Sequence, residues 1–235
     1  MIGWVKMTTK LTIRQQIIYF TISIVLNCIG NGITVALNLG SALWTASAVN
    51  IAHASGWQLN TILILIAAFA VIVNIFLRGY FSWHAFIGNI LFAVPFSILV
   101  GWFSRFFLQL PLMTWPILLR ISLDFGGIML IGIAISIYQR LNIALHPTDE
   151  MMQLVRFKLL HGNAWAAQIV SFVPPIIAIT LTYLLTHQLY AINLGTVFSL
   201  LCQGYIVGQA DHYVFPRLKH QHLPELSQNH EYLKQ

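Results

Sequence analysis

Residues 15–77 read QQIIYFTISIVLNCIGNGITVALNLGSALWTASAVNIAHASGWQLNTILILIAAFAVIVNIFL, without one Asp, Glu, Lys or Arg. About 20 apolar residues cross a bilayer core, so this stretch is too long for one span. It divides at its polar middle. Residues 16–38 read as one helix and 59–77 as a second; between them, 39–58 holds Gly40, Ser41, Thr45, Ser47, Asn50, His53, Ser55 and Gly56. Residues 159–210 are equally free of these charges. The whole chain of 235 residues is 58% hydrophobic and 8% charged, against about 25% charged in a soluble domain. An ordinary water-soluble globule is excluded, and no room remains for a large soluble domain.

Further spans follow outward from that stretch. A third helix is expected over 83–103, kinked at Pro95 because proline removes a backbone donor and crowds the preceding turn. A fourth covers 116–138, since its charge-free part is too short to cross alone, and it carries Arg120 and Asp124 near one end. A polar, charged stretch fills 139–163. The fifth helix runs over 164–186 with Pro174 and Pro175 inside it, and the sixth over 191–209. The expected fold is an all-α membrane protein of six transmembrane helices. It has a cytoplasmic N-terminal segment 1–15, a first membrane repeat 16–110, a second 111–214 and a polar cytoplasmic tail 215–235.

Charge sets the orientation. With both termini cytoplasmic, Lys6, Lys10, Arg14, Arg78, Arg140, Arg156, Lys158, Arg217, Lys219 and Lys234 lie inside, and Arg105 and Arg120 outside, as the positive-inside bias requires. A five-span chain puts one terminal basic cluster on the wrong side. The formal charge of +6 forms no patch, so nucleic acid is not an expected partner. Cys28 and Cys202 sit in apolar runs and read as reduced thiols. The first apolar run is too long for a signal-peptide core and has no small-residue cleavage site after it, which makes it a retained span. His212, His220, His222 and His230 fall in or near a polar tail without the cysteine or carboxylate spacing of a metal site.

Sliding the chain on itself by 104 residues aligns Ile24, Leu26, Ile29, Ile33, Leu37 and Asn38 with Ile128, Leu130, Ile133, Ile137, Leu141 and Asn142. Both asparagines end a span and open a polar segment. Near offset 107, Gly88 aligns with Gly195. Each half reads helix, polar segment, helix, helix, and an odd number of spans per half inverts the second copy in the membrane. Inverted repeats with interrupted helices at their interface are a recurring design of secondary transporters. A duplicated scaffold with two amphipathic surface helices fits the same pattern.

At these residues the chain resembles the YczE/YyaS/YitT family of bacterial integral membrane proteins. Their halves carry a span, a motif N-L-G-x-x-P-W-D or N-x-G-x-x-P-x-D, and further spans. The first copy here is NLGSALWT, 38–45, and the second NIALHPTD, 142–149. Leu43 replaces the usual proline and Thr45 the aspartate; Ala144 replaces glycine, and His146 and Thr148 are additions. One expected carboxylate is therefore missing. The likeness covers roughly 18–214 and implies a permease-like, multi-pass protein of the bacterial plasma membrane.

Pro147, Thr148, Asp149 and Glu150 form a helix start, with Thr148 as cap and acids in the first turn. A functional reading places Asp149 on a re-entrant helix, where it binds a proton or cation, with His146 sharing that proton. Asp124 follows Arg120 by four residues, so the two share a helix face and can pair. If Arg120 snorkels away, Asp124 becomes an ion ligand one turn deeper. Asn27 and Asn31 share one face, as hydrogen-bond partners for a solute or for another helix. Trp57, Trp83, Trp102, Trp115 and Trp165 read as interfacial anchors, while Trp44, inside the motif, is placed to stack on a ligand. Gly30, Gly32, Gly126 and Gly127 permit close helix approach.

No nucleophile elbow, zinc-protease, phosphate-loop or dinucleotide fingerprint is present, so no catalytic residue, metal or cofactor is expected. The expected function is a secondary permease that moves a small solute by alternating access, its two polar segments meeting near the midplane. The substrate-binding or coupling candidates are Asn38, Ser41, Trp44, Thr45, Asp124, Asn142, His146, Thr148 and Asp149. Expected partners are the lipid bilayer, the solute and a coupling proton or cation, with room for a homo-oligomer. The alternative is a non-transporting accessory protein that acts on a partner through 139–163 and the tail.

Overall fold

The computed structural model describes residues 11–219, apart from the side chains of 164 and 165. Lys6, Lys10, Lys234, His220, His222 and His230 lie outside the described residues, as does the side chain of Trp165. The described chain is all helical: α1 Ile13–Leu37, α2 Leu43–Ser55, α3 Leu59–Arg78, α4 Trp83–Leu108, α5 Ile117–Leu141, α6 Pro147–Leu154, α7 Ala164–Thr186 and α8 Leu194–Tyr213. A 3₁₀ turn, Leu112–Thr114, precedes α5, and a π-turn, Val155–Leu159, extends α6.

α1, α3, α4, α5 and α7 are each long and apolar enough to cross a membrane. α8, the expected sixth span, equals α3 in length at 20 residues but falls short in composition, because Thr196, Ser199, Gln203, Gln209 and Asp211 dilute its apolar side chains. It starts three residues later than expected, since Ala191 takes a positive φ of 53° and Asn193 caps the helix through its own side chain.

Local chemistry sets the other boundaries. Thr12 and Gln15 form a reciprocal capping box, which draws Arg14 into α1 and starts it earlier than residue 16. Asn38 and Asn142 each end their helix in the left-handed region, at φ 52° and 48°, a conformation asparagine tolerates better than most residues. α4 and α7 run unbroken through Pro95 and through Pro174 and Pro175. α5 continues to Leu141, so Arg140 belongs to a helix and not to the polar stretch after it. Its guanidinium is 1% exposed, which corrects its reading as a loop charge.

α1 and α5 cross antiparallel at their glycines. A Cβ on Gly30 would meet the Gly127 carbonyl at 2.5 Å and Ile131 Cγ1 at 2.8 Å; one on Gly127 would meet the Gly30 carbonyl at 3.0 Å. Gly32 likewise admits Phe103 of α4, whereas Gly126 faces open space. α4 also flanks α1, and α8 flanks α5. The short helices cross over: α2 lies on α7, and α6 on α3.

Polarity is inverted relative to a soluble bundle. Ser23, Asn27, Asn31, Thr34, Asp124, Ser136 and Arg140 are buried in the α1–α5 pair, while Ile72 and Phe76 of α3, Ile98 of α4 and Leu185 of α7 are more than half exposed. Such an outer face is matched to hydrocarbon.

Replacing Gly30 with leucine should force α1 and α5 apart and cost about 1–3 kcal/mol. Thermal unfolding in mild detergent should show an earlier midpoint for Gly30→Leu, while Gly126→Ala leaves it unchanged or raised.

Candidate functional site

The candidate residues fall into two groups, one at each end of the α1–α5 pair. Asn38 ends α1 and Asn142 ends α5, and a 25-residue helix is about 37 Å long. Antiparallel packing places the C-terminal caps of α1 and α5 at opposite ends, so the two polar segments enter from opposite ends, and Ala48 and Ile51 of the first share one apolar core cluster with Leu145 of the second. No hydrogen bond joins the groups among the described residues.

At the first end, residues 38–42 are bound to the segment that enters α8. The Asn38 side-chain oxygen accepts the Ala191 amide. The Ser41 amide donates to the Ala191 carbonyl at 3.0 Å and to Thr196 Oγ1 at 3.2 Å, and the Gly195 amide donates to the Leu39 carbonyl at 2.9 Å. Gly40 has φ 136°, and any Cβ there would overlap the Gly195–Thr196 backbone, so only glycine fits. Thr45, in the first turn of α2, donates to Asn31 Oδ1 at 2.6 Å. Asn31 in turn donates to Asn27 Oδ1 at 2.8 Å, so the polar face of α1 serves helix–helix bonding. Trp44 borders an apolar cavity of about 290 Å³ with Ile62, Phe69, Pro174 and Pro175.

Asp124 faces the same junction. The expected pair with Arg120 is not formed: the Arg120 guanidinium donates to the Leu37 carbonyl at 3.4 Å and to Met113 Sδ at 3.2 Å. That donation caps α1, whose last carbonyls have no helical partner. Asp124 is 0% exposed, and both its oxygens are without a hydrogen-bond partner.

At the second end, the polar groups of residues 142–150 are met by α3, α4 and α5. Asn89 donates to the Leu145 carbonyl at 3.2 Å and Asn74 to the Pro147 carbonyl at 2.9 Å. The hydroxyl of Tyr138 donates to Asp149, and Arg78 pairs with Glu150. His146, not Thr148, caps α6: its Nδ1 accepts the Thr148 amide at 3.3 Å and meets the Thr148 hydroxyl at 2.7 Å. The residue sits before Pro147, whose fixed φ starts the helix. His146 therefore bonds Thr148 and packs its ring edge-on against Phe92 and Phe96, while the bond to Asp149 comes from Tyr138. The Asn142 side chain makes none of these contacts.

Several polar residues were missed by sequence reasoning. Asn74 and Asn89 stand inside apolar spans, a detectable sign of interhelical bonding. Asn50 binds residue 190 on both sides, donating to its carbonyl at 2.7 Å and accepting its amide at 3.0 Å. Arg140 donates to the carbonyls of Ser136, Asp211, Val214, Phe215 and Leu218 and lies 3.3 Å from Asp211 Oδ1. It thereby closes the end of α8 and ties the following residues to α5.

These features define a multi-pass helical membrane protein with polar segments clamped at both ends of a central helix pair. The chain belongs to a family of unknown function, DUF6198, whose model matches residues 14–212. No curated protein and no solved structure matches it.

Arg140→Met leaves these carbonyls without the donor that meets them, a loss of about 1–3 kcal/mol for each buried acceptor left unsatisfied. Limited proteolysis in detergent should then cut beyond residue 213 sooner than in wild type, and Arg140→Lys should fall between the two.

Proposed function

We propose that this protein is a six-span secondary permease of the bacterial plasma membrane, built from two inverted repeats, with α8 as the sixth crossing and both termini cytoplasmic. The observation that carries the reading is the reciprocal exchange of the short helices. Each half reads long helix, short helix, long helix, long helix, and each short helix is seated on the third helix of the other half. The polar loops are exchanged as well: residues 39–41 bind Gly195 and Thr196, and residues 143–145 meet Gly88 and Asn89. Rocking one half against the other would therefore expose one polar group and occlude the other, as alternating access requires.

In this reading the likeness to the YczE/YyaS/YitT proteins extends to a permease role. Asn38 and Thr45 serve one end of the pathway, Asn142 and Asp149 the other. A cavity of about 360 Å³ beside the first end, bordered by His53, Gln58, Asn60, Ser104 and Arg105, has the size and polarity for a small solute. Asp149, held by Tyr138 at the other end, is the titratable coupling group.

Proteoliposomes with an imposed proton gradient test this. Wild type should drive uptake or efflux of at least one member of a broad panel of small solutes, and Asp149→Asn should lose the response to the gradient. Wild-type behaviour of that variant removes the coupling role. Absence of any flux, together with a partner that survives mild detergent extraction, favours the accessory reading. Cysteines placed at 45 and 149 should react with impermeant reagents from opposite faces of the bilayer.

A further inference from the structure

We propose that Asp124 is a proton-binding site, and that its bound proton holds the first motif loop closed against the start of α8. Three observations converge on this carboxyl. It is fully buried, and neither oxygen has a hydrogen-bond partner. The neighbour able to neutralise it in its own helix, Arg120, is turned to the Leu37 carbonyl and Met113. And it lies directly against Gly195, where an added Cβ would overlap Asp124 Oδ2 and come within 3.0 Å of the Gly40 carbonyl.

Among the described residues, no salt bridge reaches Asp124. α1 carries no charged residue after Arg14, and its titratable groups are Tyr19 and Cys28; the Cys28 thiol points to the Phe96 carbonyl of α4 at 3.6 Å. Residues 38–42 hold no titratable group. In α8 the titratable residues are Cys202, Tyr205, Asp211, His212 and Tyr213, all about two turns or more beyond Gly195. On the approach to α8, Tyr190 stacks on His53 and His187 lies edge-on to Tyr183. Arg105 of α4 is exposed.

An isolated carboxylate in a dry site is far more costly than the neutral acid, and here it would stand beside the Gly40 carbonyl dipole. The neutral acid fits the closed junction. Loss of the proton favours hydration, and separation of residues 39–41 from 194–196 would admit water to this carboxyl. The hydrogen bonds between those segments are the ones that would open. The use of this proton in coupling rests on the permease reading; its binding does not.

The test uses the full-length protein in detergent and in liposomes, without flux. N,N′-dicyclohexylcarbodiimide adds to a protonated carboxyl in an apolar site and leaves a stable N-acylurea that peptide mass spectrometry locates. Residue 124 should be labelled in wild type, with labelling that falls as pH rises by about tenfold per pH unit above its midpoint. Arg120→Gln should leave that profile in place. In addition, Ser41→Cys should react faster with an impermeant maleimide as pH rises, and Asp124→Asn, a permanent mimic of the neutral acid, should remove the excess over ordinary thiol ionisation. The proposal is overturned if residue 124 stays unlabelled at every pH, if its labelling is independent of pH, or if Arg120→Gln shifts the profile, since the last result means an ion pair. Equal maleimide rates at position 41 with and without the Asp124→Asn substitution overturn the closing role. None of these results depends on whether a solute moves.

Discussion

The approach of α1 to α5 at Gly30 and Gly127 is the contact from which the other positions follow. Lipid offers helices no hydrophobic reason to associate, so close backbone packing and polar bonding must supply it. With the backbones this near, Asn31 and Thr34 are enclosed, and Asn31 can receive Thr45 from α2. The antiparallel crossing also sends Asn38 and Asn142 to opposite ends. The loop after each then meets a glycine in the first turns of the last long helix of the other half: Gly40 against Gly195, and the Ile143 carbonyl 3.3 Å from a Cβ added to Gly88.

Irregular backbone at membrane depth is tolerated only when its polar groups find partners inside the protein. Much of the buried polarity here answers that demand. Asn50, Asn74, Asn89, Thr196, Arg120 and Arg140 all bond backbone atoms of loops or helix ends. Most of these residues are consequently structural. Asp124 differs from them because its oxygens accept no hydrogen bond among the described residues.

How much of this the sequence disclosed follows from the range of each interaction. Apolar run length located five long helices to within a few residues, and α7 at the same residues, because hydrocarbon thickness acts locally on composition. The asparagine that closes α1 and its counterpart after α5 were visible as a repeated feature, since a left-handed cap is a property of one residue. Partner choice was not visible. Arg120 has Asp124 four residues away and still turns to Leu37, because the unsatisfied end of α1 outcompetes a neighbour in the same helix. The seats of Ser41 and Asn50 lie 140 residues or more along the chain, and a one-dimensional repeat does not say that its copies trade parts. Arg140 looked like a flanking charge because the end of α8, its ligand, lies 71 to 78 residues further along the chain.

The traded short helices also constrain how the molecule comes into being. As synthesis proceeds, α2 leaves the ribosome more than a hundred residues before α7, the helix it lies on. For that interval Asn50 lacks residue 190, which it bonds on both sides, and must wait at the membrane surface or in the insertion machinery. The N-terminal half is thus an obligate latecomer to its own structure, which exposes nascent chains to quality control and makes a truncated first half a poor candidate for independent assembly.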